Sequence, residues 1–174
     1  MKRLILLIVS VVVACFSAFS HDFMFKHLEV KDGMPSNQIN AIYKDSLDNI
    51  WIGSYGKGLY KYSSSDRGIN QLISIRKTHS PNGSASLPDN YIEKIVEDSE
   101  GRLWIRTGEN GYVIYNWDTE SFVCDVRSRM WDIGIDGTPR YVFVDKQKNT
   151  WFAIDGKGCY CYRPGEKNAV SLSL

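Results

Sequence analysis

The chain has 174 residues, and its 21 Lys and Arg nearly balance 20 Asp and Glu. No stretch concentrates positive charge. That argues against a phosphate-neutralising nucleic-acid face and against a polybasic membrane patch.

The first twenty residues read as a targeting segment. Lys2 and Arg3 precede an apolar run from Leu4 to Val9, which Ser10 interrupts and which resumes to Phe16 before Ala18-Phe-Ser20. A basic start, a short apolar stretch and small residues at the cut describe a secretory signal peptide, cleaved near Ser20. Acylation at Cys15 and an uncleaved anchor are the alternatives, although the apolar core is short for a bilayer span. Cleavage leaves 19 basic against 20 acidic residues and three cysteines, Cys124, Cys159 and Cys161. An odd number is not a disulfide framework, and a Cys-x-Cys pair lacks the four ligands of a metal site. Core packing is the expected role of Cys159 and Cys161.

Beyond the leader, short runs rich in Ile, Val, Tyr and Trp alternate with Gly, Asn, Asp and Ser, the pattern of strands and hairpins. Phe23–Val30 is expected to be a strand without a sheet of its own. The next four strands are placed at Asn37–Lys44, Asn49–Ser54, Gly58–Ser63 and Ile69–Arg76. A polar connection from Lys77 to Pro88 leads to Tyr91–Glu97, Arg102–Thr107, Gly111–Asn116 and Ser121–Val126. Residues Arg127–Pro139 connect onward, with Trp131, Ile133 and Ile135 alternating as an extra strand. The last set is Arg140–Val144, Thr150–Ala153, Gly158–Tyr162 and Asn168–Leu172.

One unit recurs through these strands. It runs Asp45…Trp51…Gly58…Tyr62, then Asp98…Trp104…Gly111…Tyr115, then Asp145…Trp151…Gly158…Tyr162. Asp to Trp is six residues, Trp to Gly seven and Gly to Tyr four in every copy, and the tryptophans stand 53 and 47 positions apart. A period in this range marks a solenoid, propeller or repeat array. Four antiparallel strands per repeat make a propeller blade. The predicted fold is therefore all-β: three four-stranded blades of an incomplete ring, after a signal peptide. The expected divisions are 1–20 signal peptide, 21–36 N-terminal strand and candidate for ring closure, 37–77 first blade, 78–126 second blade and 127–174 third blade.

Each fixed residue has an expected structural task. The aspartate accepts hydrogen bonds from turn amides. Asn49, Gly101 and Asn149 supply left-handed turn conformations. Tryptophan is buried between blades, and the glycine opens the third strand.

These repeats resemble the two-component regulator propeller repeat, whose pattern is Asp-x-x-Gly-x-Ile/Leu-Trp-Ile-Gly-Thr followed by Gly-Leu-x-x-Tyr. Asp45–Tyr62 and Asp98–Tyr115 carry it well, and the flanks Phe25-Lys-His-Leu, Asp32–Ile39 and Pro81–Ile92 resemble those of the family. Asp48 and Lys148 depart from the turn glycine, Arg106 from the glycine after Trp-Ile, and Ala153-Ile154 from Gly-Thr. The resemblance implies the periplasmic sensing end of a hybrid two-component histidine kinase, recognising oligosaccharides and signalling to a kinase. The kinase is not expected in this chain, since no phosphoacceptor His or nucleotide box is visible after residue 20. Three blades fall short of the roughly 4–8 of a closed ring. The expected partners are an oligosaccharide and either further blades or a second copy, and the isolated chain is expected to be unstable or self-associating.

Two other functions compete. A sialidase-like glycosidase would need convergent arginines, a nucleophilic Tyr and an acidic partner, and the arginines here follow no motif. A partner-binding propeller without a small ligand is the third reading. No catalytic residue, metal ligand or cofactor is assigned, and the ligand-binding residues remain open. Trp117 and Trp131, outside the repeat, are the aromatics most free to stack on a sugar.

Overall fold

The computed structural model describes residues 27, 29–32, 34, 36–64, 70–74, 87–108, 110–117 and 119–172. The proposed leader lies outside these residues, as do Phe23–Lys26 of the opening strand and most of the 77–88 connection. At Val30 the expectation fails, because Val30–Asp32 forms a 3-10 turn.

Among the described residues, twelve strands build three antiparallel meanders. Sheet 1 contains β1 (Ile39–Lys44), β2 (Ile50–Ser54), β3 (Leu59–Ser64) and β4 (Asn70–Ser74). Sheet 2 contains β5 (Ile92–Glu97), β6 (Leu103–Thr107), β7 (Gly111–Asn116) and β8 (Ser121–Val123). Sheet 3 contains β9 (Pro139–Val144), β10 (Thr150–Ile154), β11 (Gly158–Tyr162) and β12 (Val170–Leu172). Every strand within the three predicted sets is present. The pairing of β1, β5 and β9 with the second strand shifts register at the same place near its start, after Ile39, Ile92 and Pro139. The repeat thus extends to its irregularities, since such bulges bend and twist a strand.

Register explains why side chains alternate apolar on both faces. Tyr43, Trp51 and Lys61 lie on one face of sheet 1, while Ile42, Ile52 and Tyr60 lie on the other. Sheets 2 and 3 repeat this arrangement, with Ile95, Ile105 and Val113 facing backward and Val96, Trp104 and Ile114 forward. Sheet 2 is therefore sandwiched between sheets 1 and 3, and no sheet has a purely polar face.

Two cores result. Between sheets 1 and 2, Trp51 and Leu59 pack with Ile92, Ile95, Leu103, Ile105, Val113, Tyr115 and Phe122. Between sheets 2 and 3, Trp104, Tyr112 and Ile114 pack with Val142, Phe152, Ile154 and Tyr162. A smaller cluster of Met34, Ile52 and Tyr60 covers part of the backward face of sheet 1. The forward face of sheet 3 shows Tyr141, Phe143, Val170 and Leu172 to solvent. Cys161 is buried and Cys159 half-buried on that same face, beside Trp151.

The connection after sheet 2 corrects the predicted extra strand. Arg127–Asp132 is an α-helix, α1. Strand alternation would place Trp131, Ile133 and Ile135 together, yet Trp131 is 65% exposed while Met130, Ile133 and Ile135 are buried. Helical spacing lets Met130 and Ile133 reach the core from one side. The Ile135 amide then donates back to the Met130 carbonyl at 2.8 Å. Val126, Met130, Ile133 and Ile135 together wedge into the second core.

Candidate functional site

The fixed residues of the repeat assemble one device three times. Asp45 Oδ1 accepts from the Leu47 and Asn49 amides at 2.9 and 2.8 Å, as the sequence predicts. Its Oδ2 accepts from the Trp51 indole Nε1 at 2.7 Å. The same bond joins Trp104 to Asp98 at 2.8 Å and Trp151 to Asp145 at 2.9 Å. A buried indole N–H needs an acceptor, and this explains the six-residue spacing that turn logic alone left unexplained. The left-handed turn residues are Asp48, Gly101 and Lys148, with φ of 64, 77 and 66°. Asn49 and Asn149 do not take that role; their side-chain amides instead donate to Asp45 and Asp145. Gly58, Gly111 and Gly158 have φ of 86, 73 and 83°, which is why glycine recurs there. The tyrosines reach the preceding sheet: Tyr115 lies edge-on to Trp51 with centroids 5.3 Å apart, and the Tyr162 hydroxyl donates to Glu100 at 2.9 Å. These twelve residues are spread over three sheets rather than gathered at one point.

The other feature of chemical interest is a cleft of about 540 Å³ between sheets 2 and 3, at the end where α1 enters. Arg106 forms its floor. The Arg106 Nη1 donates to the Arg140 carbonyl at 2.5 Å, and its Nε lies 2.5 Å from Glu93 without the alignment of a hydrogen bond. The guanidinium also sits 5.0 Å over the Tyr141 ring. Arg127 and Trp131, four residues apart on α1, both line the cleft, because that spacing puts two side chains on one helix face. Lys157 is paired with Asp136, and Arg140 with Asp155 at 3.1 Å. Lys157's hydrogen bond, then that of the Trp131 indole, holds the Asp136 carboxyl below its ordinary range. Among the described residues no carboxylate is ion-paired with Arg127. Among the described residues four cations and two carboxylates line the cleft, and Glu93 meets one of those cations from outside the lining.

Of the two tryptophans expected to be free, Trp131 is exposed, with its indole N–H donating to Asp136 at 3.5 Å, and Trp117 is not. Trp117 is packed edge-on against Trp51 and Tyr115, at 5.5 and 5.2 Å, and its indole donates to the Gly101 carbonyl at 3.1 Å. Arg106, Arg127 and Arg140 escaped notice as a group because they lie on different elements. The only sequence signal was Arg106 standing where the repeat has glycine. Among the described residues no three His, Cys, Asp or Glu side chains gather as metal ligands would, and no helix is long and apolar enough to cross a membrane.

The fold and this geometry define β-propeller blades, and comparison with known proteins says which. The two-component regulator propeller family model matches residues 33–56 and 86–109. Those segments hold the first and second copies of the Asp-to-Trp device, which are similar to two-component regulator propeller repeats. The histidine kinase P4 of Formosa agariphila is 29% identical over 94 residues, which cover 53% of this chain and 6% of that protein. Among solved structures, the extracellular domain assigned to the hybrid two component system BT3049 of B. thetaiotaomicron is 26% identical, with a TM-score of 0.52. That match covers 83% of this chain and 18% of the other. An extracellular domain from the same bacterium, assigned to the one component system BT4673, is 18% identical with a TM-score of 0.51, covering 84% of this chain and 20% of that one. The latter shares the fold. The chain thus spans a fifth or less of each of these relatives.

Proposed function

We propose that the chain is part of the extracytoplasmic sensor region of a hybrid two-component system, exported by its leader and responsive to saccharides. The observation that carries this reading is a double coincidence. The family model matches segments of sheets 1 and 2, and 83% of the chain overlays an extracellular domain of a hybrid two component system. In that role the protein binds a ligand and passes on a change of shape, and it performs no chemistry itself. The exposed forward face of sheet 3, with Tyr141, Phe143, Val170 and Leu172, would be covered by a further blade or a second copy.

Two measurements test the proposal. Alkaline phosphatase fused behind residue 172 is active only if the leader exports it, so an inactive fusion with the protein present overturns the location. Saccharide binding is read as ligand-linked stabilisation, which at a hundredfold excess over Kd amounts to about 2.7 kcal/mol. A melting temperature unmoved by both neutral and acidic oligosaccharides overturns the sensing role.

A further inference from the structure

We infer that the cleft between sheets 2 and 3 is a binding site for an acidic saccharide, with Trp131 as the stacking surface and Arg127 as the anion-binding group. The inference deepens the saccharide-responsive reading and rests on it.

Three observations converge. The cleft, about 540 Å³, has the volume of small-molecule sites, and its walls are mostly polar. Such walls suit a hydroxyl-rich ligand better than an apolar one. Second, Trp131 is the large exposed aromatic at this place, 65% exposed although the neighbouring apolar residues Met130, Ile133 and Ile135 are buried. An exposed indole face beside polar groups offers a sugar ring's C–H face a partner while hydroxyls reach the rim. Third, the charge is unbalanced in one direction. Lys157 and Arg140 already have carboxylate partners in the cleft, Asp136 and Asp155. Arg106 leans on Glu93, outside the lining. Arg127 has no carboxylate at ion-pair distance among the described residues, although its charge acts on Asp136 from farther off, and it stands one helical turn from Trp131. A guanidinium in that state binds a carboxylate or sulfate in a two-pronged, charge-assisted pair. A neutral sugar would use the tryptophan and leave the arginine idle.

The anion could be a ring carboxylate or a sulfate ester, and the probes separate them. Trigalacturonate carries only carboxylates, a κ-carrageenan tetrasaccharide only sulfates, and galactotriose neither. Titration calorimetry and thermal melting with each probe are made on the parent protein, Arg127→Ala and Trp131→Ala. Both side chains are exposed, so the unliganded melting temperatures of the variants should match the parent and certify their folding.

The expected result is that at least one acidic probe binds and that Arg127→Ala weakens it roughly tenfold. Trp131→Ala should weaken every probe that binds, and added salt should weaken the acidic probe alone. Two outcomes overturn the inference but leave the sensing role standing: galactotriose binding as tightly as either acid, or acidic probes binding both variants as they bind the parent. If none of the three probes binds, the saccharide reading and the inference fall together.

Discussion

The junction between sheets 1 and 2 and the junction between sheets 2 and 3 are built from the same repeat, yet they differ in chemistry. At the first, Gly53 faces the incoming strand β5 so closely that a Cβ there would lie 2.4 Å from the Ile92 Cγ2. At the second, the equivalent positions are Arg106 and Pro139. The arginine holds the junction open where the glycine lets it close, and the cleft lies there. Polar ties differ as well. The Ser46 amide and hydroxyl both donate to Glu97, at 2.9 and 2.6 Å, clasping sheet 1 to sheet 2. One repeat later Val144 stands at the position of Glu97, and the buried Ser99 hydroxyl has no partner among the described residues. Sheets 2 and 3 are joined instead by Lys94 Nζ donating to the Val142 carbonyl, by the Val142 amide donating to the Tyr112 hydroxyl, and by Glu100 receiving Tyr162 and Arg129. The repeat specifies each sheet, whereas residues outside it decide what each junction does.

The largest test of this contrast compares copies of one residue. Trp104 is buried between two sheets, while Trp151 is half-buried on the open face of sheet 3. Trp104→Ala should cost about 3–5 kcal/mol in urea unfolding, and Trp151→Ala clearly less. Equal losses would mean that the indole–aspartate bond, common to both, matters more than burial.

Next comes the close approach at the first junction. Gly53→Ala should destabilise by about 1–3 kcal/mol through overpacking against the branched Ile92 side chain. Arg106→Ala adds no atoms and should be milder. A stabilised Gly53→Ala protein would show that Ile92 gives way freely.

The clasp offers a smaller effect. Glu97→Ala should lose about 1–2 kcal/mol because it strands two donors of Ser46, and a double-mutant cycle with Ser46→Ala should show positive coupling. Ser99→Ala should change stability by no more than about 0.5 kcal/mol, since it removes a hydroxyl that bonds nothing. A loss at Ser99 as large as at Glu97 would erase the difference between the junctions.

The smallest effect is a pH dependence. Burial pushes the Glu100 carboxyl up, but hydrogen bonds from Arg102 and Tyr162 and the charges of Arg102 and Arg129 together hold it below its ordinary value of 4.5. A lowered folded pKa contributes stability that is complete above the ordinary value and lost as pH falls through the folded one. Urea midpoints of the parent should therefore fall on acidification below pH 4.5 more than those of Glu100→Gln. Parallel curves would remove Glu100 as a tie of the second junction.

Much of this was legible in the residue order. Fixed offsets of Asp, Trp, Gly and Tyr marked the first three strands of each sheet, and apolar runs bounded by turn residues marked the fourth, because strand position follows local alternation and turn residues. The α1 segment was not legible. Its apolar residues 131, 133 and 135 fit a strand period, and only the competition of Met130 and Ile133 for the core selected the helix. The aspartate's bond to the indole was hidden for a similar reason, since a six-residue separation becomes a contact only when two strands pair across a tight turn. The charge of the cleft draws on residues from α1 and two sheets, and no window of sequence contains them together.

Sequence alone thus determined the blade, its repeat and the residues that each copy needs, because these depend on contacts within some twenty residues. Tertiary structure alone decided which junction closes and which stays open, and which tryptophan is packed and which is offered to solvent. Those outcomes depend on which side chains of distant repeats meet across a junction, and Gly53 against Ile92, or Arg106 against Pro139, is settled only once the sheets are stacked.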